Sequence, residues 1–92
     1  MQFTKESAIE AAKKDCSARS LSDPEDIFVT RVIDTEFPNS ALGAAVKGEM
    51  SGMMMTDGWR IELEANDAAF EYRANESQLR LYNYQGENFV IG

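Results

Sequence analysis

Met50, Met53, Met54 and Met55 put four of the chain's five methionines into one short stretch. Thioether sulfur is a soft ligand that suits Cu(I), so a cluster of this kind could hold that ion. Methionine is also unbranched and adaptable, and the same side chains could fill irregular gaps or meet a partner surface. Packing or a protein contact is the reading adopted, with Cu(I) handling as the alternative. No other group competes as a source of chemistry. The chain contains no histidine, which removes the commonest general base and metal ligand. Glu62, Glu64 and Glu71 could do acid-base work, but alternate carboxylates on the polar face of a hairpin are ordinarily solvated. Asp23, Glu25 and Asp26 lack the spacing and central glycine of a calcium loop. Cys16, the single cysteine, falls on a small-residue helix face and reads as a buried hydrophobe, because a reactive thiol needs an electropositive niche. Arg60, Arg73, Arg80, Tyr82 and Tyr84 could form a stacking platform for single-stranded nucleic acid. Interleaved glutamates and a formal charge of −7 argue against it. The expectation is a non-enzymatic chain with no cofactor and no nucleic-acid partner.

The elements that would position these residues follow from periodicity. Thr4 is an N-cap, and Ile9, Ala12 and Cys16 recur at helical spacing, predicting a helix from about Lys5 to Arg19 with Phe3 and Leu21 anchoring its ends. Ser22 to Asp26 form a turn around Pro24. Ile27 to Phe37 is rich in β-branched and aromatic residues and predicts a strand, with Ile27, Val29, Ile33 and Phe37 on one face and Phe28 and Val32 on the other.

Trp59, Ile61, Leu63 and Ala65 alternate with polar residues, as do Phe70 and Tyr72, so two strands join at Asn66 and Asp67. That turn places Leu63 opposite Phe70, Glu62 opposite Glu71 and Arg60 opposite Arg73. Leu79 and Leu81 continue the inner face, leaving Arg80, Tyr82 and Tyr84 outside, and this last strand is expected to extend as far as Phe89 to Ile91. Consecutive strands with short turns make a meander. The fold class is therefore α+β: one N-terminal helix packed on a curled antiparallel sheet of about four strands, in a single domain over residues 1–92.

Length and composition agree. Ninety-two residues allow one core, and with a single cysteine no intrachain disulfide can staple it. Residues 1–7 are polar and contain no apolar run able to act as a signal or enter a bilayer. The expected location is the cytoplasm as the sequence is written, or a secreted or periplasmic one if a signal segment has been removed. No membrane insertion is expected.

Several short motifs, in order along the chain, carry a resemblance. Phe37-Pro38-Asn39-Ser40-Ala41-Leu42-Gly43, then Gly48, then Gly58-Trp59-Arg60-Ile61-Glu62-Leu63-Glu64-Ala65 with Phe70-Glu71-Tyr72-Arg73, resembles a family of small, mostly uncharacterised bacterial proteins. Their pattern is an aromatic-Pro-Asp-Ser-Ser-Leu-Gly loop, a Pro-Gly pair, and a Gly-Tyr-x-Ile-x-Leu-x-Ala strand followed by Tyr-x-Tyr. Many such relatives look secreted or lipid-anchored and carry cysteines in the loop, where this chain has Ala44, Ala45 and the methionines. The resemblance implies a helix on a curled antiparallel sheet, PepSY-like or cystatin-like in outline, and no catalytic residues.

Pro38 to Asp57 shows no sustained period and reads as a long loop. Loops beyond about 15 residues are uncommon in compact domains unless they bind something or are disordered. The expected contact surface is this loop with its flanks, residues 37–57, through Phe37, Pro38, Leu42, Met50, Met53, Met54, Met55 and Trp59. Its partner would be a protein or peptide, engaged in an inhibitor-like way. An exposed sheet edge adds the alternative of a homodimer.

Overall fold

The computed structural model describes residues 2–92. Thr4 starts its helix through a reciprocal cap. The Thr4 hydroxyl accepts the Ser7 amide at 3.1 Å and the Ser7 hydroxyl accepts the Thr4 amide at 2.8 Å, which satisfies two otherwise orphaned donors. Helix α1 runs Lys5–Ser20 and ends on Leu21, whose φ of 58° is left-handed and whose amide returns to the Ser17 carbonyl.

Leu21 does not anchor the helix end as the sequence suggests, for it is 92% exposed. The left-handed cap and the single 3₁₀ turn at Pro24–Asp26 reverse the chain around it. Ile27, beyond that corner, enters the core in its place.

Five strands follow: β1 (Phe28–Phe37), β2 (Thr56–Ala65), β3 (Ala68–Ala74), β4 (Leu79–Tyr84) and β5 (Glu87–Val90). They lie side by side in chain order in one open antiparallel sheet. The count is five rather than about four because Gln85 and Gly86, with φ of 53° and 82°, turn the chain tightly enough to start a separate final strand.

The β2–β3 register is the one the Asn66-Asp67 turn dictates, with Leu63 opposite Phe70, Glu62 opposite Glu71 and Arg60 opposite Arg73. Asn66 and Asp67 have φ of 50° and 62°, the twist that suits a two-residue hairpin. Ala8, Ala12 and Cys16 lay the helix on β2 and β3 and share one buried core with Ile61, Leu63, Tyr72 and Leu81. Their small size lets the backbone approach the sheet closely, so burial of the larger sheet side chains supplies most of the apolar area. Cys16 is fully buried, and that burial, reinforced by the neighbouring Asp15 carboxylate, pushes its thiol up to about 11. Tyr72 is also buried and donates its hydroxyl to Asp15 Oδ2 at 2.7 Å.

Two bulges change which face a residue occupies. Between Val29 and Arg31 the pairing with β2 slips by one residue. Val29 faces Leu63 and Val32 faces Ile61 on the helix side, while Ile33 and Phe37 pair with Arg60 and Thr56 on the opposite side. The sequence expectation that Ile27, Val29, Ile33 and Phe37 share a face fails at this bulge, because one inserted residue inverts every later side chain. A second slip between Leu81 and Tyr84, with Asn83 at φ 52°, turns Tyr84 inward against the expectation that it lies outside. Tyr84 stacks on Phe70 at 5.2 Å between ring centres, beneath the Arg19 guanidinium.

Candidate functional site

Because Phe37 leaves β1 on the face away from the helix, residues 38–55 fold back over that face. Phe37, Ala41, Leu42 and Ala44 are buried there, outside the helix-side core. The loop needs polar partners, since its backbone is not in a ladder. Asn39 Oδ1 accepts the amides of Ala41 and Gly43 at 3.0 and 2.9 Å, folding the first turn. Ser40 and Gly52 close it, with the Ser40 amide donating to the Gly52 carbonyl at 3.0 Å and the Gly52 amide to Ser40 Oγ at 2.8 Å.

The remaining anchors come from the sheet. Gln78 Nε2 donates to the Ser40 carbonyl, Arg73 Nη1 to that of Leu42, Arg80 Nη1 to that of Ala44, and Asn88 Nδ2 to that of Ala45. The Arg73 guanidinium sits 3.6 Å from the centre of the Tyr82 ring and 5.4 Å from that of Phe37. The arginines that alternate on the outer face therefore hold the loop in place.

Arg80 carries the strongest of these ties. It is 7% exposed, and its guanidinium donates to both oxygens of Glu49 at 2.5 and 2.6 Å. Glu49 also accepts the Val46 amide at 3.1 Å. The Arg80 hydrogen bond first, and the Val46 amide second, lower the Glu49 carboxyl from 4.5 to about 2. A depressed carboxylate contributes stability that is fully present above its ordinary value of 4.5 and is lost as pH falls toward about 2. In an acid titration followed by NMR, the Val46 amide and Arg80 side-chain signals should move with a midpoint near 2; a midpoint near 4.5 would mean that the pair is not formed.

The anchored part of the loop ends at Gly52. Met50, Met53, Met54 and Met55 are 97%, 92%, 72% and 55% exposed, so the packing role open to them on sequence grounds is not the one they have. Of the other residues expected in the contact surface, Phe37 and Leu42 are buried at the loop's base and Pro38 is exposed. Trp59 lies on the opposite face from Phe37, half-buried at the edge of the helix-side core.

Met54, Met55 and Trp59 nevertheless meet in one open groove of about 1050 Å³ at the end of the sheet, bounded by the start of α1, the end of β1 and the β3–β4 turn. Phe3 completes its apolar lining, and Asp34, Glu36, Asp57 and Glu76 lie around it. Sequence reasoning assigned none of these four carboxylates a role, because they are far apart along the chain and obey no common spacing. Glu62 and Glu71, weighed as catalytic, instead pair with arginines at 3.2 and 2.8 Å. Among the described residues no group of three or more carboxylates or cysteines is placed to hold a metal ion, and no helix is long and apolar enough to cross a membrane.

A protein-family model with the description Domain of unknown function (DUF8738) matches residues 9–82, from the first turns of α1 into β4. No curated protein and no solved structure matches the chain. At this coarse level the match agrees with the small uncharacterised family suggested by the loop and hairpin motifs.

Proposed function

We propose that this chain, which belongs to the DUF8738 family, is a non-enzymatic protein-interaction domain whose contact surface is the methionine crest Met53–Met55. One observation carries this reading. The loop is tied to the sheet through Arg73, Gln78, Arg80 and Asn88, yet it holds methionines 55% to 92% exposed at its exit. Exposed apolar side chains on an ordered support are poised to be covered by a partner, and methionine adapts to an irregular one. A helix on an antiparallel sheet is also compatible with the cystatin-like or PepSY-like outline, and exposed side chains at a loop exit with an inhibitor-like contact.

The test is affinity purification from the native source with wild-type protein and with Met53, Met54 and Met55 replaced together by serine. Surface substitutions of this kind change stability by about 0.5 kcal/mol or less, so the melting temperature should fall by no more than roughly 4 °C. A stoichiometric partner present with the wild type and lost with the variant is the expected result. Capture that ignores the substitution would sink the crest as the contact. Copper bound without a partner, and lost on the same substitution, would move the methionines to the Cu(I) alternative. A chain that elutes as a dimer and captures nothing else would favour pairing through the open edges β1 and β5.

A further inference from the structure

We propose that the segment recognised is a cationic, extended peptide seated in the groove between Met54, Met55 and Trp59, an inference that rests on the interaction reading above. The groove has two chemistries on one surface. Its apolar part is the methionine pair with Trp59 and Phe3. Its rim carries four carboxylates against the single ammonium of Lys5, which already pairs with Asp34 at 2.8 Å. Among the described residues Glu36, Asp57 and Glu76 have no ion-pair partner, and all three are exposed.

The arrangement discriminates between ligands. The carboxylates do not converge into a set that could hold one metal ion, whereas a peptide places successive charges several ångströms apart and can meet them separately. An anion is disfavoured by the rim, and the start of α1 offers it little, since Thr4 and Ser7 already occupy each other's amides. Trp59 suits an apolar side chain or the face of a guanidinium equally. The groove crosses the end of the sheet from Asp34–Glu36 of β1, past Asp57 and Trp59 of β2, to Glu76 in the β3–β4 turn, a span that suits an extended segment. The net charge of −7 favours encounter with the same class of partner.

Trp59 is the only tryptophan of the chain and lines the groove, so its emission reports occupancy. The probe is a capped heptapeptide of alternating lysine and leucine, titrated at low salt beside glutamate–leucine and serine–leucine counterparts. The lysine peptide should bind saturably and weaken steeply with added salt. It should bind at least about tenfold more weakly to the triple variant Glu36→Gln, Asp57→Asn, Glu76→Gln, by the arithmetic of one to two lost charge contacts. A second variant, Glu64→Gln, Asp67→Asn, Glu87→Gln, removes the same formal charge at exposed positions outside the groove and should bind as the wild type does. Equal weakening in both variants would reduce the effect to net charge and overturn the groove. Binding of all three peptides alike would overturn the cationic preference while leaving an interaction surface. Binding of none, with the methionine-dependent partner still captured, would overturn this inference alone; loss of both would overturn the interaction reading as well.

Discussion

Replacing Glu49 by alanine should destabilise the protein by about 3 kcal/mol, the lower end of the range for breaking a buried ion pair from one side. The substitution removes two charge-assisted bonds and strands Arg80, whose side chain is 8% exposed, with only Gln78 and the Ala44 carbonyl as acceptors. For a domain of this size that is a fall in melting temperature of roughly 12–24 °C. The lower end applies because the Glu49 side chain is 26% exposed and the pair is only partly withdrawn from water.

The reverse change, Arg80→Met, should cost less, about 1–2 kcal/mol, since methionine retains the buried stem and the freed Glu49 can hydrate. The double variant should then be more stable than Glu49→Ala alone, because no buried charge is left without a partner. Chemical denaturation of the two single variants and the double one gives this coupling directly. If Glu49→Ala behaves like an ordinary surface change, within about 0.5 kcal/mol, the loop is not held by this pair.

Gly58→Ala should be at least as damaging, costing about 3 kcal/mol, at the upper end of the range for overpacking. A Cβ on Gly58 would stand 2.2 Å from the Ala74 carbonyl oxygen and 3.1 Å from Phe37 Cε2. That carbonyl is backbone in the strand paired with Trp59, so relief requires the β2–β3 ladder to part at its end. Gly48→Ala is the informative contrast. Nothing lies within 4 Å of its added methyl group, and only its φ of +84° opposes the change, worth about 1–2 kcal/mol. Urea midpoints should rank Gly58→Ala well below Gly48→Ala, and Trp59 emission should shift in the former alone; equal midpoints would show that the sheet yields where the geometry says it cannot.

Local signals made part of the fold legible. Thr4 announces the helix, Asn66-Asp67 announces the hairpin, and strict alternation on both sides fixes its register down to the opposed Arg60–Arg73 pair. The bulges left no such mark. Thr30 and Asn83 look like ordinary strand residues, yet the slips beside them decide that Phe37 goes under the loop and Tyr84 into the core. The loop was recognisable as a loop, but its conformation depends on Arg73, Gln78, Arg80 and Asn88, which lie on other elements and share no sequence period with it. The groove was legible only in its apolar members, Met54, Met55 and Trp59. Its carboxylates come from β1, β2 and the β3–β4 turn, and no sequence period joins them.

The strand order has a consequence for how the chain reaches this state. In β2–β3–β4–β5 every pairing joins sequence neighbours across a short turn, so little chain entropy is surrendered before contacts form. Only β1 must find its neighbour across residues 38–55, and it does so with the larger loop-closure cost. The hairpins are therefore expected to nucleate and β1 to dock last, with Arg80 and Glu49 meeting on arrival. Mutations of Arg80 or Glu49 should then act mainly on the rate of unfolding, while those in the β2–β3 hairpin slow folding itself.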